Sequence, residues 1–345
     1  MCKSVGPQLL MLLVRDCWEK DIEQKMFPGY SIKKRNQTSV TEFLLSGLVD
    51  NHNLNGIFFV FFLFIYLVTL ICNISMISLI CCSSTLRNPM YFFLGHLSFS
   101  DICYSSVITP KIISNMVSRQ MVISFNGCAA QLFFFCLFGG TECFLVTVMA
   151  YDRYVAICNP LLYVMIMSRD LLLKLVGIVY SSGFLLSAIQ TGCTFRLSFC
   201  NSNHVKHFFC DIPALLKLSC TNTFISEIIM FVLSGLLGTF SVFIILISYA
   251  NIISSILKMQ SSEGRHKAFS TCSSHLAVVT LFFGTALFVY SRPISSYSIQ
   301  KDNILSVFYT VVIPMLNPII YCLRNAQVKA AFMKTIPKTF GHGFN

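Results

Sequence analysis

The residues from Met149 to Cys158 read MAYDRYVAIC, and this stretch decides how the rest of the chain is interpreted. It closes an apolar segment, Leu132 to Ala150, with an acidic residue, an arginine and a tyrosine, and Asn159-Pro160 follows directly. An arginine at the end of a membrane helix can extend its charged group into the polar interface, so its presence there costs little. A lone arginine would therefore be explained equally well as an interfacial anchor. The whole string must be judged together with the segments around it.

The composition is that of a membrane protein. Of the 345 residues only 11% are charged and 55% are hydrophobic, whereas a soluble protein carries roughly a quarter charged residues. The net charge of +11 needs no partner other than the membrane surface, and the sequence contains no nucleic-acid-binding motif.

Apolar stretches of about 20 residues, the length that crosses a bilayer as a helix, occur seven times. Only helices can span as single apolar runs, because lipid cannot satisfy open backbone groups. The sequence predicts an all-α membrane protein, a seven-transmembrane helix bundle, in which the fourth span is the weakest. The predicted spans are Ile57–Cys81, Tyr91–Val117, Ala129–Ala150, Leu171–Gln190, Ile228–Ile256, Ala268–Tyr290 and Ile304–Leu323.

The placement of lysine and arginine orients the bundle. If Arg153 is cytosolic, the loops on its side carry a moderate excess of basic residues, which favours an N-terminus outside the cell. We therefore expect residues 1–55 to form an extracellular tail, residues 56–323 the seven-helix domain, and residues 324–345 a cytoplasmic tail. Residues 1–25 are interpreted as an upstream extension without fixed structure. Asn36, in Asn36-Gln37-Thr38, is the glycosylation acceptor expected on the outer tail.

Most of the sixteen cysteines lie within spans, where cysteine behaves as a small hydrophobe. Four differ: Cys128 opens the third span at its outer end, and Cys200, Cys210 and Cys220 follow at ten-residue spacing in the loop between spans four and five. An oxidising outer face favours their pairing, and four cysteines allow three connectivities. A zinc site that uses His204 and His207 from the same loop is a weaker alternative.

Asp101 and Glu142 are acids well inside the predicted spans. A carboxylate at mid-bilayer costs about 2.5–3.5 kcal/mol on insertion scales, so each is a functional hypothesis. At about 1.5 Å per residue, Asp101 lies roughly 15 Å from the inner end of span two and Glu142 roughly 16 Å up span three from Arg153. The two acids share a level, and facing carboxylates cannot both ionise comfortably. Either one is protonated, as in a hydrogen-bonded core pair, or a cation sits between them.

The last span contains Pro314-Met315-Leu316-Asn317-Pro318 and then Tyr321. Two prolines four residues apart remove backbone donors and kink the helix, and Asn317 can satisfy a freed carbonyl. The segment beyond it, with apolar Val328, Ala331 and Phe332 beside Lys329, is predicted to be a short amphipathic helix on the inner leaflet.

A ligand site is predicted between the outer halves of the spans. Its candidate residues are overwhelmingly apolar, and no acid that could pair an amine occurs in the upper third of spans three to seven, so the site suits small, neutral, partly apolar ligands. The glycine pair in span three either leaves room for a ligand or marks close helix packing. The candidate residues are Phe135, Cys136, Gly139, Gly140, Leu233, Ser234, Phe283, Leu287, Tyr290, Val307 and Thr310.

MAYDRYVAIC resembles the inner end of helix three in odorant receptors, which are rhodopsin-like G-protein-coupled receptors. The string KAFSTCSSHL at Lys267–Leu276, the loop motif at His207–Asp211 and the Asn317-Pro318 region carry the same resemblance, which runs from about Asn36 to Lys334. The chain departs from the family pattern at three positions: Arg87 stands where histidine is usual, Cys72 where glycine is usual, and Phe283 where tyrosine is common. These departures concern tuning and basal activity rather than the class.

The resemblance implies the disulfides Cys128–Cys210 and Cys200–Cys220. It also implies a sodium ion held by Asp101 and Glu142, with Ser98 or Asn317 nearby, and no other cofactor. It implies an odorant receptor in the plasma membrane, not an enzyme, that binds small volatile ligands and activates a stimulatory G protein to raise cyclic AMP. Ligand binding would favour a minor state in which helix six swings outward and exposes Arg153. The implied coupling and switch residues are Asp152, Arg153, Tyr154, Tyr249, Lys267, Asn317, Pro318 and Tyr321.

The sequence leaves three other functions to be compared with this one. A receptor of the same fold could sense a metabolite outside the nose, and the sequence does not separate that role from olfaction. A transporter or channel would have paired broken helices, whereas only span seven is broken. An integral-membrane enzyme is disfavoured because the intramembrane acids lack histidine or cysteine partners at metal-ligand spacing.

Overall fold

The computed structural model describes residues 40–48, 55–118, 120–200, 202–290, 299–324, 328–331 and 333. Within them, seven long helical segments correspond to the seven predicted spans. Their bounds are α1 (Asn55–Cys82), α2 (Pro89–Ser118), α3 (Phe125–Cys158), α4 (Arg169–Phe195), α5 (Phe224–Lys258), α6 (Ser262–Tyr290) and α7, which comprises Ile299–Val307, a π-helical turn at Phe308–Val312 and Ile313–Arg324. Short helices lie at Ser84–Leu86, Tyr163–Ile166 and Ile212–Leu216.

Five of these segments are long and apolar enough to cross a membrane: α1, α3, α4, α5 and the Asn303–Cys322 part of α7. The prediction that the fourth span is the weakest is therefore wrong, because α2 falls below α4 in hydropathy. The reason is that the inward face of α2 is polar, with Ser98, Asp101 and Thr109 all buried. In α6 the described apolar run is the shorter Cys272–Thr285.

Local sequence sets where the helices begin. The hydroxyl of Ser124 accepts a hydrogen bond from the amide of Gly127 and caps α3, which leaves one fewer unpaired donor in its first turn. Pro89 opens α2, where its missing N–H costs nothing, and the Asn88 side chain accepts from the amide of Met90. At the inner end of the bundle, residues 328–331 are helical, with Val328 and Ala331 buried.

The core has an inner and an outer part. The inner cluster, around Leu97, Leu145 and Tyr321, packs the half of the bundle that contains Arg153, and the outer cluster, around Tyr104 and Leu132, packs the other half. Along α2 and α3, Asp101 and Glu142 fall between the residues of the two clusters, so a polar layer separates them.

The outer end carries a small sheet that the sequence analysis did not predict. Strand β1 (Glu42–Leu45) pairs antiparallel with β2 (Val122–Ser124) and parallel with β3 (His204–Val205), in the order β2-β1-β3. Phe43 is fully buried, and its ring packs against Phe125 and Phe199. The N-terminal strand is therefore anchored to the outer face of the bundle.

Both implied disulfides are present, Cys128–Cys210 with Cα atoms 5.6 Å apart and Cys200–Cys220 with Cα atoms 5.9 Å apart. They leave no thiolate of this loop for zinc. His207 instead lies next to Ser306 of α7, with Nε2 3.2 Å from the hydroxyl. The first disulfide ties the loop between α4 and α5 to the top of α3, so the loop covers the bundle as a lid.

Candidate ligand cavity and switch residues

A cavity of about 500 Å³ lies in the outer half of the bundle. Seven of the eleven predicted ligand residues line it. They are Phe135, Cys136, Gly139, Gly140, Leu233, Ser234 and Phe283. None of the described lining residues carries a charge, and most are apolar.

The other four predicted residues are placed elsewhere or cannot be placed. Thr310 is buried and donates to the carbonyl of Ser306 within its own helix at 2.6 Å, and Val307 packs against the outer cluster. In α7 it is Tyr309, which lies within the π-helical turn, that lines the cavity. The side chains of Leu287 and Tyr290 lie outside the described residues.

The glycine pair of α3 serves packing. A Cβ on Gly139 would lie 3.3 Å from the ring of Tyr104, and one on Gly140 would lie 3.7 Å from the Cα of Gly183. A Cβ on Gly183 would lie only 2.7 Å from the hydroxyl of Thr141. Because Gly139 and Gly140 also line the cavity, the pair both packs closely against α2 and α4 and leaves room for a ligand.

Aromatic rings form the wall of the cavity nearest the lid. The Phe135 ring stacks on Tyr104 with centroids 5.4 Å apart, and it lies 5.1 Å from Phe209 of the lid and 6.3 Å from Tyr309. Tyr104 and Tyr309 were missed by the sequence analysis because a single tyrosine within an apolar span has no periodic signal of its own.

The polar groups at the cavity are few and mostly engaged. Gln190 of α4 donates to the hydroxyl of Ser234 of α5 at 2.9 Å, and the hydroxyl of Tyr309 lies 2.9 Å from that of Ser306. Gln190 was also missed by sequence reasoning. A ligand in this cavity meets apolar walls and a small number of neutral hydrogen-bonding groups.

The lid is held by buried polar contacts. The side-chain carbonyl of Gln131 accepts from the amide of Cys210 at 3.0 Å, and its NH₂ group donates to the carbonyl of Val107. Burial lowers the pKa of His207 to about 3, so this histidine is neutral at physiological pH. The lid therefore has no net charge on its buried side at this position.

In the polar layer, Asn317 donates to both carboxylate oxygens of Asp101, at 2.9 and 3.2 Å. It does not satisfy the carbonyl freed by Pro318, as the sequence suggested; Asn73 of α1 donates to that carbonyl, on Pro314, at 3.0 Å. Both carboxylate oxygens of Glu142 are buried without a hydrogen-bond partner among the described residues. These oxygen atoms fit a hard cation, which prefers such ligands.

The inner face brings several predicted switch residues together. Asp152 accepts from the hydroxyl of Tyr163 at 2.9 Å, and Arg153 has its Nε and Nη2 atoms buried without a partner among the described residues. Tyr154 packs on Tyr151, with ring centroids 6.2 Å apart. Tyr321 is fully buried, and the side chain of Lys267 lies outside the described residues.

One contact of this face was missed. His275 of α6 lies with Nδ1 2.8 Å from the hydroxyl of Tyr249 on α5 and with Nε2 3.0 Å from the carbonyl of Val146 on α3. This histidine connects three helices at the level where α6 meets α3. The string KAFSTCSSHL contains it, but nothing in the residue pattern singles it out from its neighbours.

The sequence model of the olfactory receptor family matches residues 62–338. The chain belongs to this family. It is 56% identical over 308 residues to olfactory receptor 5AP2 of Mus musculus, a match that covers 89% of this chain and 97% of the relative. It is 53% identical over 307 residues to olfactory receptor 5AP2 of Homo sapiens, with the same coverage.

The fold of this olfactory receptor is similar to that of squid rhodopsin, with a TM-score of 0.63 and 17% sequence identity, over 86% of this chain and 89% of that one. The receptor is thus a multi-pass membrane protein with the fold of G-protein-coupled receptors. It belongs to a family of receptors rather than enzymes, whose partners are in general a small-molecule ligand and a G protein.

Proposed function

We propose that this olfactory receptor binds small, neutral, mostly apolar volatile molecules in the cavity and activates a stimulatory heterotrimeric G protein, which raises cyclic AMP. The observation that carries the ligand class is the lining of the cavity: a volume of about 500 Å³ bounded by apolar side chains, without a charge among the described residues. Such a site gains affinity from apolar burial and orientation from a few polar groups.

Ser234 and Gln190 are the polar groups that we expect to orient a ligand. They are hydrogen-bonded to each other across α4 and α5, so a ligand carbonyl or hydroxyl would compete for the same donors. Because exchanging one hydrogen bond for another gains little net free energy, this pair sets orientation, and the apolar walls supply the affinity. Phe135, Leu233 and Phe283 are the apolar contacts that we expect to matter most.

Activation is proposed to act through the inner face. In the described arrangement His275 holds α6 against α3 and α5, and Arg153 is partly buried beneath it. Outward movement of α6 would break the contact to Val146 and expose Arg153 to the G protein. A ligand can shift this equilibrium only by its difference in affinity for the two states.

The lid supports the proposed orientation and location. Its two disulfides require an oxidising compartment, so we place the lid, strand β1 and residues 1–55 outside the cell, with the glycosylation acceptor Asn36 on that tail. Asn36 lies outside the described residues. Arg153 and residues 324–345 are placed on the cytoplasmic side of the plasma membrane.

A sodium ion beside Asp101 and Glu142 is proposed as the partner of the polar layer. It is supported by the unpartnered oxygens of Glu142 and by the unpartnered side-chain oxygen of Asn317. The alternative is a proton shared in the same layer, which would need no ion.

The function is tested by measuring cyclic AMP in cells that express the receptor, against a panel of small volatile ligands and with surface expression determined for each variant. We expect a ligand-dependent rise that is lost in Arg153→Ala at equal surface expression. Arg169→Ala, a basic residue at the start of α4, is the matched control and should retain the response. A rise of equal size in Arg153→Ala would contradict the proposed coupling.

A further inference from the structure

The two halves of α5 pack differently. In its inner half the buried residues recur every three or four positions, as expected for a helix with one face on the core: Ser241, Ile245, Ser248, Tyr249, Ile252 and Ile256. In its outer half no residue from Glu227 to Phe240 is buried. The outer half of α5 is therefore packed less closely than the inner half, although Ser226 and Ser234 hydrogen-bond to Cys193 and Gln190 of α4.

The cavity extends around this outer half. Ten consecutive residues, from Met230 to Thr239, line it. Since successive residues of a helix point about 100° apart, ten in a row point in every direction around the axis. They include Phe231 and Leu236, which are 63% and 66% exposed and lie on the surface that faces lipid. The boundary of the cavity therefore includes residues of α5 that face away from the bundle, which is the geometry expected for an opening toward lipid.

The gap faces α4. Ser234 points toward α4, because it accepts from Gln190, and Gly238 lies one turn further along the same face of α5. A Cβ on Gly238 or on Gly235 would meet no atom within 4 Å. Gly238 itself contributes no side chain to the seam between the two helices, and the space beside its Cα is open.

The aqueous side of the cavity is closed where it is described. The short helix Ile212–Leu216 is buried along its whole length, and Phe209 and Cys210 beside it are fully buried. The three-stranded sheet and two disulfides hold this lid in place. A ligand arriving from water would have to displace a packed apolar layer.

We propose that the seam between α4 and α5, at Ser234 and Gly238, is a lateral portal through which apolar ligands dissolved in the outer leaflet reach the cavity. This inference rests on the proposed function, because it assumes that the cavity holds a small neutral ligand. Such molecules concentrate in hydrocarbon, so the bilayer delivers them directly to the open side of the cavity. A ligand that enters through this seam must either break the Gln190–Ser234 hydrogen bond or pass beside it.

The portal is tested by filling it. Phenylalanine at Gly238 or Gly235 has open space at its Cβ and improves helix propensity over glycine, so Gly238→Phe and Gly235→Phe are expected to fold. Gly177→Phe on α4 is the matched control, since that glycine also has nothing within 4 Å of its Cβ and does not line the cavity. The probe is 1-aminoanthracene, a small neutral fluorophore, and its binding to the receptor in lipid nanodiscs is followed by stopped-flow fluorescence.

We expect the two portal variants to slow association and dissociation alike, by about tenfold, while Kd stays within about threefold of the wild type. Gly177→Phe should leave both rates unchanged. The double variant Cys200→Ser/Cys220→Ser, which loosens the lid, should not accelerate association.

Unchanged rates in both portal variants would overturn the portal. Faster dissociation at an unchanged association rate would also overturn it, because the glycines would then be part of the binding wall. Faster association after loosening of the lid would overturn it as well, because the route would then lie on the aqueous side. Absence of saturable probe binding to the wild type would instead contradict the proposed ligand function itself.

Discussion

At the scale of single residues, the polar layer divides its two acids between different environments. Asp101 accepts two hydrogen bonds from Asn317, whereas no described residue donates to the carboxylate of Glu142, which lies within hydrogen-bonding reach of Asp101. A buried carboxylate without a partner is costly, so Glu142 is where a cation or a proton lowers the free energy of the folded receptor most.

Glu142→Gln is expected to abolish stabilisation by sodium. Binding of an ion to the folded state alone raises stability by mass action, and about 1 kcal/mol at several times Kd corresponds to roughly 2 °C in Tm. Tm is measured in sodium chloride and in N-methylglucamine chloride at equal ionic strength, with Glu227→Gln, an acid near the outer end of α5, as the control. An undiminished increase of Tm by sodium in Glu142→Gln would contradict the proposed ion site and would favour the alternative, a proton shared in the polar layer.

His275→Phe is expected to raise basal cyclic AMP. The variant keeps an aromatic ring but removes the contacts to Tyr249 and Val146, and the loss of about 1 kcal/mol from a net hydrogen bond shifts a two-state population roughly fivefold. The matched control is His266→Phe, an exposed histidine nearer the start of α6. Equal basal signals in the two variants at equal surface expression would show that His275 does not hold the inactive arrangement.

At the scale of elements, the contact between α3 and α4 depends on the absence of side chains. Gly183 lies so close to Thr141 and to the carbonyl of Leu137 that a Cβ would approach them to 2.7 and 3.0 Å. Gly177 and Gly183 both lie within the apolar sequence of α4, and nothing in that sequence separates them. Only the packing distinguishes them, because helix periodicity does not say which face meets a neighbour.

Gly183→Ala is expected to destabilise the receptor by about 1–3 kcal/mol through overpacking. Gly177→Ala, on the same helix with open space around its Cβ, is expected to be neutral or slightly stabilising. Thermal unfolding of the two purified variants makes the comparison. A Tm for Gly183→Ala at or above that of Gly177→Ala would mean that α4 can shift away from α3 at little cost.

The positions of the helices could be predicted from the sequence, whereas some local features could not. Length and hydropathy placed all seven helices, because crossing a bilayer imposes about 20 apolar residues whatever the details of packing. The π-helical turn in α7 was beyond such an argument, because no residue pattern indicates it, and within this turn Tyr309 lines the cavity whereas Thr310 does not. The three-residue strand β2 and two-residue strand β3 are too short for an alternating pattern to be recognised.

At the scale of the whole molecule, the lid joins parts of the chain that are far apart in sequence. His207 in the loop between α4 and α5 contacts Ser306 of α7, and the same loop is bonded covalently to α3. The buried, neutral state of His207 therefore contributes to the stability of the assembled outer face.

Acidification is expected to lower the stability of the wild-type receptor. The pKa of His207 is about 3 in the folded state because of burial, below its ordinary value of about 6.5, so the unfolded chain takes up the proton first. The contribution is complete above about pH 6.5 and is lost progressively as the pH falls toward 3. Tm at pH 7.5 and 5.5 should fall less in His207→Gln than in the wild type, and an equal fall in both would contradict this role.

The central position of strand β1 has a consequence for the biogenesis of the receptor. Leu44 pairs with Val122 on one side and with His204 on the other. Strand β1 is synthesised first, and its sheet can be completed only after the four helices α1 to α4 have been synthesised. Contacts of such sequence separation form slowly, and until then Phe43 is without its burial partners. A nascent chain arrested before residue 204 would therefore expose the apolar residues at this end of the bundle, and the sheet can close only after β3 has been synthesised.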